Sequence, residues 1–272
     1  MGVASDVIVV KAGGRALEKN LDNIVGSLAE GYSRGLKIVF VHGGGDIVSR
    51  FEKAMGMEPR FVVSPQGIRS RYTDERELEV YVMVMAGKLN KEIVARLQSH
   101  GVKAIGVSGA DGGLLKAERK KRIVIVDERG RRRAIPGGYT GRIREVNAEL
   151  AEKLLEEGFM LVVSPIALGL EYELLNVDAD QAAARIAEAL KAEALLILTD
   201  VEGVIVDGKI LEEVKVEEVE ELKSRIGVGM NRKLIMCAEA VKSGVGEAII
   251  SSGLIENPLS ALEENLGTRI RI

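Results

Sequence analysis

Short, continuous apolar stretches recur along the chain, with longer polar and apolar segments between them. The stretches are rich in Val and Ile and show no alternation of apolar and polar positions, which is typical of strands that are buried on both faces of a parallel sheet. We therefore predict strands at Val7–Val10, Ile38–Val41, Ile105–Val107, Ile123–Val126, Leu161–Val163, Leu195–Leu198 and Ala248–Ile250.

The segments between most of these strands have the apolar spacing of amphipathic helices. Several of them end in glycine, and Thr73 or Asp74 is a suitable N-cap for the longest. Alternation of strands and helices predicts an α/β protein, a three-layer α-β-α sandwich with a mostly parallel central sheet. The predicted helices are Leu21–Gly35, Glu75–Gly101, Asn147–Gly158, Asp180–Lys191 and Asn231–Gly244.

Two features suggest how the chain is divided. A second series of strands and helices begins after the stretch Leu170–Leu175, so we predict lobes at residues 1–173 and 174–272. Within the first lobe, residues 116–144 contain strand-like pieces, a glycine turn at Gly130 and no helical period. This pattern predicts a β-hairpin that departs from the alternating series.

Composition restricts the class of protein. With 46% apolar and 29% charged residues, the chain is globular, and its net charge of -3 gives no general attraction to nucleic acid. A single cysteine, Cys237, excludes an internal disulfide framework and is typical of a reducing compartment. No apolar stretch approaches the roughly 20 residues of a membrane span, and the N-terminus lacks the basic region of a secretory signal. We expect a cytoplasmic protein with no membrane or nucleic-acid partner.

Two predicted strands end in glycines, in the sequences VKAGG and VHGGG. Glycines allow the backbone to approach a ligand closely, and the N–H groups at the start of a helix attract anions. Each turn alone is also compatible with an ordinary tight connection between a strand and a helix. Neither matches GxGxxG or the Walker loop, which disfavours a dinucleotide-dependent oxidoreductase and a P-loop protein.

Charged residues accompany these turns. Lys11 stands at the end of the first strand, where ligands bind in open α/β sheets, and Lys233 stands at the start of a late helix. Taken alone, each is compatible with a surface lysine, and Asp180 with a helix N-cap. An acid held between two lysines would instead orient them and keep both charged.

Six motifs occur in order: VKAGG, VHGGG, GIRSRYTD, NVDADQAA, LTDVEGV and GMNRK. In sequence and spacing, from about Val7 to the C-terminal GTRIRI, the chain resembles the amino acid kinase family. The resemblance implies the fold of that family, with an N-terminal acyl-substrate lobe and a C-terminal ATP lobe. It also implies phosphoryl transfer from ATP to a carboxylate, with Mg²⁺ on the nucleotide rather than on side chains of the protein, and a homodimer.

The resemblance assigns roles to individual residues. Lys11 and Lys233 match the lysines that stabilise the transition state, and Asp180 matches the acid that organises them. The acceptor needs no general base, because a carboxylate is already ionised at pH 7. Family members such as N-acetylglutamate kinase often read NVNAD, so the role of Asp178 is open. Further matches are Gly44, Gly45, Arg69 and Asn176 for the substrate, and Gly13, Gly14, Thr199, Asp200 and Gly203 for the nucleotide.

The segment 116–144 contains eleven positive and three negative side chains, a local net charge of +8. This charge is compatible with a solvated hairpin, with a phosphate or nucleic-acid site that has only Tyr139 as an aromatic, or with a dock for an acidic protein. The sequences SRYTD, ERKKR and GGYTG resemble the family branch that acts on α-aminoadipate held by the acidic amino-group carrier protein LysW. The residues proposed for docking are Lys120, Lys121, Arg131, Arg132 and Arg133.

Two alternatives remain from the sequence. The resemblance implies α-aminoadipate, glutamate or both as the carrier-bound substrate, and the same chemistry could instead act on free N-acetyl-L-glutamate. A catalytically inactive, nucleotide-binding regulatory protein is a different class, but it would be expected to have lost Lys11, Asp180 or Lys233, and all three are present.

Overall fold

The structure, a computed structural model, describes residues 5–272. Its strands are β1 Ser5–Ala12, β2 Lys37–His42, β3 Phe61–Val63, β4 Arg69–Arg71, β5 Ala104–Ser108, β6 Leu115–Arg119, β7 Arg122–Val126, β8 Arg132–Pro136, β9 Gly141–Val146, β10 Met160–Ser164, β11 Ile166–Gly169, β12 Leu174–Asn176, β13 Ala192–Thr199, β14 Ile205–Val206, β15 Lys209–Ile210, β16 Glu213–Lys215, β17 Glu247–Ser252 and β18 Thr268–Arg271. Its α-helices are α1 Gly14–Ser33, α2 Gly45–Ala54, α3 Glu75–Val82, α4 Asn90–Ser99, α5 Ala148–Glu156, α6 Ala179–Leu190, α7 Val219–Leu222 and α8 Val228–Lys242.

An eight-stranded sheet forms the centre of the molecule, in the order β16-β18-β17-β13-β1-β2-β10-β5. Its pairs are parallel except β17 with β18. Successive residues of β1 belong to different cores: Val9 lies in a core that includes residues of α5, α6 and α8, and Val10 lies in a core that includes residues of α1, α3 and α4. The sheet is therefore covered by helices on both faces, which confirms the predicted α-β-α sandwich and explains why its strands read as continuous apolar runs.

The strand register brings three chain segments together at one edge of the sheet. Ala12 at the end of β1 is aligned with His42 of β2 on one side and with Leu198 of β13 on the other. The turns that follow these three parallel strands therefore lie side by side. This is the edge at which open α/β sheets bind ligands.

The segment 116–144 is more elaborate than a single hairpin. The pair β7–β8 is an antiparallel hairpin, as predicted, but it extends from a second antiparallel pair, β6–β9. This second pair belongs to a four-stranded sheet in the order β12-β11-β6-β9. Strand β7 also contacts β3, so the hairpin lies beside the short β3–β4 pair.

The predicted helix Glu75–Gly101 is helical over most of its length but is not one regular α-helix. It begins with a capping box in which Asp74 and Glu77 each accept a hydrogen bond from the other's backbone N–H. Between α3 and α4 the chain forms a π-helix at Met83–Leu89. Helix α1 begins at Gly14, earlier than predicted, and has non-helical angles at Asn20.

The predicted lobe boundary falls between β11 and β12. The central sheet continues across both predicted lobes, because β1 of the first pairs with β13 of the second. The division at 173/174 stays a prediction, and residues 1–4 of the first lobe lie outside the described residues. In the part of the chain that the structure describes, no helix is both long and apolar enough to span a bilayer.

Candidate active site

Lys11, Asp180 and Lys233 meet at the carboxyl edge of the central sheet. The Nζ of Lys11 lies 2.7 Å from Oδ1 of Asp180, and the Nζ of Lys233 donates a hydrogen bond to Oδ2 of the same carboxylate. The three side chains come from β1, the first turn of α6 and the first half of α8. One carboxylate thus holds two ammonium groups from distant parts of the chain.

Burial and charge determine the ionisation of this group. Asp180 is largely removed from water, which opposes ionisation, but Lys11 and Lys233 outweigh this effect and lower its pKa below the ordinary range. Burial lowers the pKa of Lys11; Asp180 opposes this change and Lys233 adds to it. The result at neutral pH is a carboxylate between two cations, with a net positive charge available to an anionic ligand.

The two glycine turns lie against each other beside these lysines. Gly13 and Gly44 are the N-caps of α1 and α2, and a Cβ at Gly14 would lie 3.2 Å from both Cα and N of Gly44. The N–H of Gly13 donates to Leu198 O, at 3.1 Å. The N–H groups of Gly14, Gly44 and Gly45 donate to no acceptor among the residues that the structure describes. Two helix N-termini therefore offer free donors next to the lysines.

The predicted nucleotide segment follows β13 and adjoins the start of α1. Thr199 is buried at the end of the strand and donates to Asp200 Oδ1 at 3.2 Å, while Arg15 donates to Asp200 Oδ2 at 3.0 Å. The hydrogen bond from Arg15 is the main cause of the lowered pKa of Asp200. Gly203 is buried, and a Cβ there would lie 2.9 Å from Oγ1 of Thr268. The segment is thus fixed beside Lys11 by one ion pair and by close packing.

A cleft of about 1040 Å³ is lined by the chain neighbours of Asp180 and Lys233, namely Ala179, Gln181 and Arg232, but not by the three charged residues themselves. Of the residues predicted for the substrate, Gly44, Gly45, Arg69 and Asn176 all line it. The Cζ of Arg69 lies 3.5 Å from the centre of the Phe61 ring, which holds the guanidinium above the cleft. Asn176 donates to Oγ1 of Thr73 at 2.8 Å. The residues predicted for the nucleotide, from Thr199 to Gly203, do not line this cleft.

Strand β4, which carries Arg69, is tied to α2 by a second arginine. Arg71 forms a buried ion pair with Glu52, and it also donates to Gly45 O at 2.8 Å. Glu52 is fully buried, and burial raises its pKa although Arg71 opposes the change. Both arginines line the cleft, but the sequence RSRYTD did not indicate that Arg71 also fixes the strand through Glu52.

Asp178, whose role the sequence left open, has two partners. Its Oδ1 accepts from the N–H of Gln181 at 2.9 Å and so caps α6, and its Oδ2 lies 3.1 Å from Nη2 of Arg232. The N-cap of α6 is therefore Asp178, and the interpretation of Asp180 as the cap is wrong. Both Asp178 and Arg232 line the cleft. Sequence reasoning missed Arg232, although it stands next to Lys233.

The predicted docking residues are divided between two surfaces. Lys120 and Arg132 line the cleft, whereas Lys121 lines a separate depression with Arg119. Arg131 pairs with Asp127 at 3.3 Å, and Arg133 follows Arg132 in β8, so its side chain projects to the opposite face of the strand. The pKa of Lys120 is lowered by partial removal from water and by Arg232. Two of the five cations therefore belong to the cleft itself.

His42 lies beneath the second glycine turn and is fully buried. Its Nδ1 is 3.2 Å from Gly43 O, and its Nε2 is 3.3 Å from Nδ2 of Asn90. A neutral ring protonated on Nδ1 satisfies both contacts, and burial lowers its pKa to about 4. His42 supports the turn and does not line the cleft.

Comparison with known proteins identifies relatives of the whole chain. The sequence profile of the amino acid kinase family matches residues 6–252. A "[LysW]-aminoadipate/[LysW]-glutamate kinase" from Saccharolobus islandicus is 51% identical over 265 residues, which cover 97% of this chain and 99% of that protein.

Solved structures share the fold at lower sequence identity. A protein of Streptococcus mutans superposes with a TM-score of 0.78 at 24% identity, covering 98% of each chain. Carbamate kinase from Giardia lamblia, solved with AMP-PNP bound, gives a TM-score of 0.70 at 16% identity over 100% of this chain and 99% of its own.

Proposed function

Because the chain belongs to the amino acid kinase family, we propose that it phosphorylates the side-chain carboxylate of α-aminoadipate, or of glutamate, carried on LysW. The donor is ATP. The observation that carries the proposal is the convergence of Lys11 and Lys233 on Asp180 beside two glycine turns. The 51% identical relative, named for both LysW-bound substrates, supports the choice of acceptor.

The proposed reaction needs alignment and positive charge more than it needs proton transfer. An oxygen of the acceptor carboxylate attacks the γ-phosphorus, the bond to the β–γ bridging oxygen breaks, and ADP leaves with that electron pair. Negative charge spreads over the transferred group, where Lys11, Lys233 and the free N–H groups of Gly14 and Gly44 stabilise it. Asp180 keeps both lysines oriented between ATP and the acceptor carboxylate.

The site is compatible with Mg²⁺ that is held by the nucleotide. Among the described residues, no group of three or more His, Cys, Asp or Glu side chains could hold a metal ion. A magnesium ion that keeps several waters and binds phosphate oxygens needs no such group. It would screen the charge of the nucleotide phosphates.

The acceptor carries carboxylates, and the carrier LysW is acidic. Both would bind to positively charged side chains of this protein. Arg69 would bind the α-carboxylate of the amino acid, since a guanidinium suits bidentate contact with a carboxylate. Lys120 and Arg132 line the cleft, and neither forms a salt bridge with a carboxylate among the residues that the structure describes. Our proposal includes docking of acidic LysW on the hairpin, a homodimer, a cytoplasmic location, and a place in lysine biosynthesis, with arginine biosynthesis if LysW-glutamate is accepted.

The test is an ADP-release assay on three acceptors: LysW-aminoadipate, LysW-glutamate and free N-acetyl-L-glutamate. Hydroxylamine in a parallel reaction traps an acyl phosphate as the hydroxamate and so identifies a carboxylate acceptor. We expect turnover on at least one carrier-bound acceptor to exceed turnover on the free one by at least tenfold. Equal or better turnover of N-acetylglutamate would overturn the carrier assignment, and ADP release without hydroxamate would overturn the chemistry.

A further inference from the structure

Asp178 places a negative charge in a cleft that has to receive anions. Its carboxylate lines the cleft together with Gly44, Gly45 and Arg69, where the acceptor is proposed to bind. Its field reaches both sides of the site, since it opposes the lowering of the Lys11 pKa on the phosphate side and of the Lys120 pKa at the hairpin. Left uncompensated, this charge would repel every carboxylate or phosphate that enters.

Arg232 is the cation that meets this charge directly. Its Nη2 lies 3.1 Å from Oδ2 of Asp178, and each side chain is 34% exposed, so the pair stands at the cleft surface and not in the core. The other carboxylate oxygen, Oδ1, is occupied by the N–H of Gln181. The helix cap and the charge contact therefore use different atoms, and they can be separated by substitution.

We propose that Arg232 acts through Asp178: it neutralises that carboxylate so that the cleft can accept an anionic acceptor. Arg232 is thus a positioning and charge-compensating residue and not a ligand of the substrate. The proposal deepens the proposed function and rests on it for the nature of the acceptor. It does not depend on whether the acceptor is carried or free, because every candidate acceptor bears carboxylates.

The experiment is a double-mutant cycle of Arg232→Gln, Asp178→Asn and the two combined. Asparagine caps a helix as well as aspartate, so Asp178→Asn keeps the cap of α6 and removes only the charge. We expect Arg232→Gln to raise the KM of the acceptor about tenfold, with kcat within about threefold, because a bare carboxylate then faces the ligand. Adding Asp178→Asn should restore KM to within about threefold of the Asp178→Asn value. The KM penalty of Arg232→Gln should also shrink as salt is raised.

Arg34→Gln is the matched control. Arg34 follows the C-terminal end of α1, at the other end of that helix from Gly14, and pairs with exposed Glu263. This substitution removes an ion-paired arginine without touching the cleft, so its kinetics should equal those of the wild type.

Two outcomes overturn the inference. If the double variant is as impaired as Arg232→Gln alone, Arg232 binds the ligand itself, and if Arg232→Gln has no effect, the pair has no role in binding. Should only N-acetylglutamate be turned over, the carrier assignment fails, but the cycle is then run on that acceptor and still decides the role of Arg232. Should no acceptor be turned over, the Kd of N-acetyl-L-glutamate, measured by calorimetry, replaces KM with the same expected order of variants.

Discussion

Asp180 determines how the charged residues of the site behave. A buried carboxylate with one lysine would leave little net charge, whereas two lysines on one carboxylate leave a surplus positive charge next to the free N–H groups of Gly14 and Gly44. This surplus is fixed before any ligand binds, so no reorganisation is needed when negative charge spreads in the transition state. The lysines should therefore matter more for kcat than for binding.

We expect Lys11→Ala and Lys233→Ala each to lower kcat by about 100-fold or more, because each removes a cation that acts mainly in the transition state. The KM of ATP should change much less. Steady-state kinetics with both substrates varied would measure the two effects separately.

Lys242→Ala is the control for these two variants. Lys242 is exposed in the last turn of α8, the helix that carries Lys233, and is far from the cleft end of that helix. Its kcat should be that of the wild type. Unchanged kcat in either active-site variant would remove that lysine from the proposed mechanism.

His42 gives a prediction about pH and stability. Its pKa is about 4 in the folded protein, against 6.5 for an unperturbed histidine, so between these values the unfolded chain binds a proton that the folded protein does not. Stability should therefore fall as pH drops from about 6.5 to about 4, by at most about 3 kcal/mol from this residue. Urea unfolding at pH 7 and pH 5 would measure the change.

The variant His42→Gln should lose this part of the pH dependence. It will be less stable at pH 7, because the buried contacts with Gly43 and Asn90 change, but its stability should fall less between pH 7 and pH 5. If both proteins have the same pH slope, His42 is not held neutral in the folded state.

Among single residues, the meeting of Lys11, Asp180 and Lys233 was predictable from sequence, and the contact between Asp178 and Arg232 was not. Lys11, Asp180 and Lys233 stand in motifs at strand and helix ends, where the fold class alone places ligands. Asp178 and Asp180 are two residues apart, and the alternation of polar residues in the sequence does not determine which of them caps α6. The contact of Asp178 with Arg232 depends on how α6 and α8 pack.

At the level of elements, two neighbouring glycines at the start of α2 have different surroundings. One is closely packed by the protein, and the other has open space around it. A Cβ at Gly44 would lie 2.6 Å from Cδ2 of Leu89 and 2.9 Å from Sδ of Met85, so this position has no room in the protein itself. A Cβ at Gly45 would meet nothing within 4 Å. Any need for glycine at position 45 must therefore come from a ligand.

We predict that Gly45→Ala leaves the free energy of unfolding unchanged or raises it by up to about 1 kcal/mol, since alanine favours a helix. If a ligand approaches this turn closely, the KM of the acceptor should rise about tenfold. Gly44→Ala is the contrasting variant and should lose about 1–3 kcal/mol of stability from overpacking. Normal KM values in Gly45→Ala would show that no ligand touches this position.

The hairpin β7–β8 allows the docking proposal to be tested away from the cleft. Arg131 and Arg133 are exposed and do not line the cleft, so the variant Arg131→Glu/Arg133→Glu changes the hairpin surface alone. We expect kcat/KM on carrier-bound acceptor to fall about tenfold, more at low salt than at high salt, because surface charges mainly guide encounter. The Kd of AMP-PNP should not change.

A control with the same change in net charge is Lys37→Glu/Lys242→Glu, which reverses two exposed lysines outside the hairpin. It should leave kcat/KM within about twofold of the wild type. An equal fall in both double variants would indicate a general effect of net charge, and no fall in either would contradict docking on the hairpin.

The boundaries of strands and helices were predicted best where burial of an element can be read from its own sequence of apolar residues. The buried strands of the central sheet were found because both of their faces are covered. The π-helix at Met83–Leu89 could not be predicted, because one extra residue per turn barely changes the spacing of the apolar residues. Val84, Met85 and Leu89 are buried, as they would be in an α-helix. The two surfaces of the basic segment were also missed, because β6 ends at Arg119 and the side-chain alternation restarts at β7.

At the scale of the whole molecule, the two predicted lobes share one sheet. Strand β1, which carries Lys11, pairs with β13 of the other half over Ser5–Ala12, and α6 also packs on β1 and β2. The apolar residues of β1 are buried between helices of both halves, with Val9 and Val10 fully covered. Separating the halves would expose the face of this strand that α6 covers and would remove its main partner, β13.

This continuity predicts that the lobes do not unfold independently. Differential scanning calorimetry should give one transition, in which the calorimetric and van't Hoff enthalpies agree, because loss of either half exposes the core of the other. AMP-PNP with Mg²⁺ at about 100 times its Kd should move that whole transition upward, by about 2.7 kcal/mol of added stability. The variant Lys233→Ala should keep the single transition, since Lys233 lies in α8 and not in the shared sheet. Two resolved transitions, with only one of them moved by the nucleotide, would show that the halves are separate folding units and that their common sheet does not couple them.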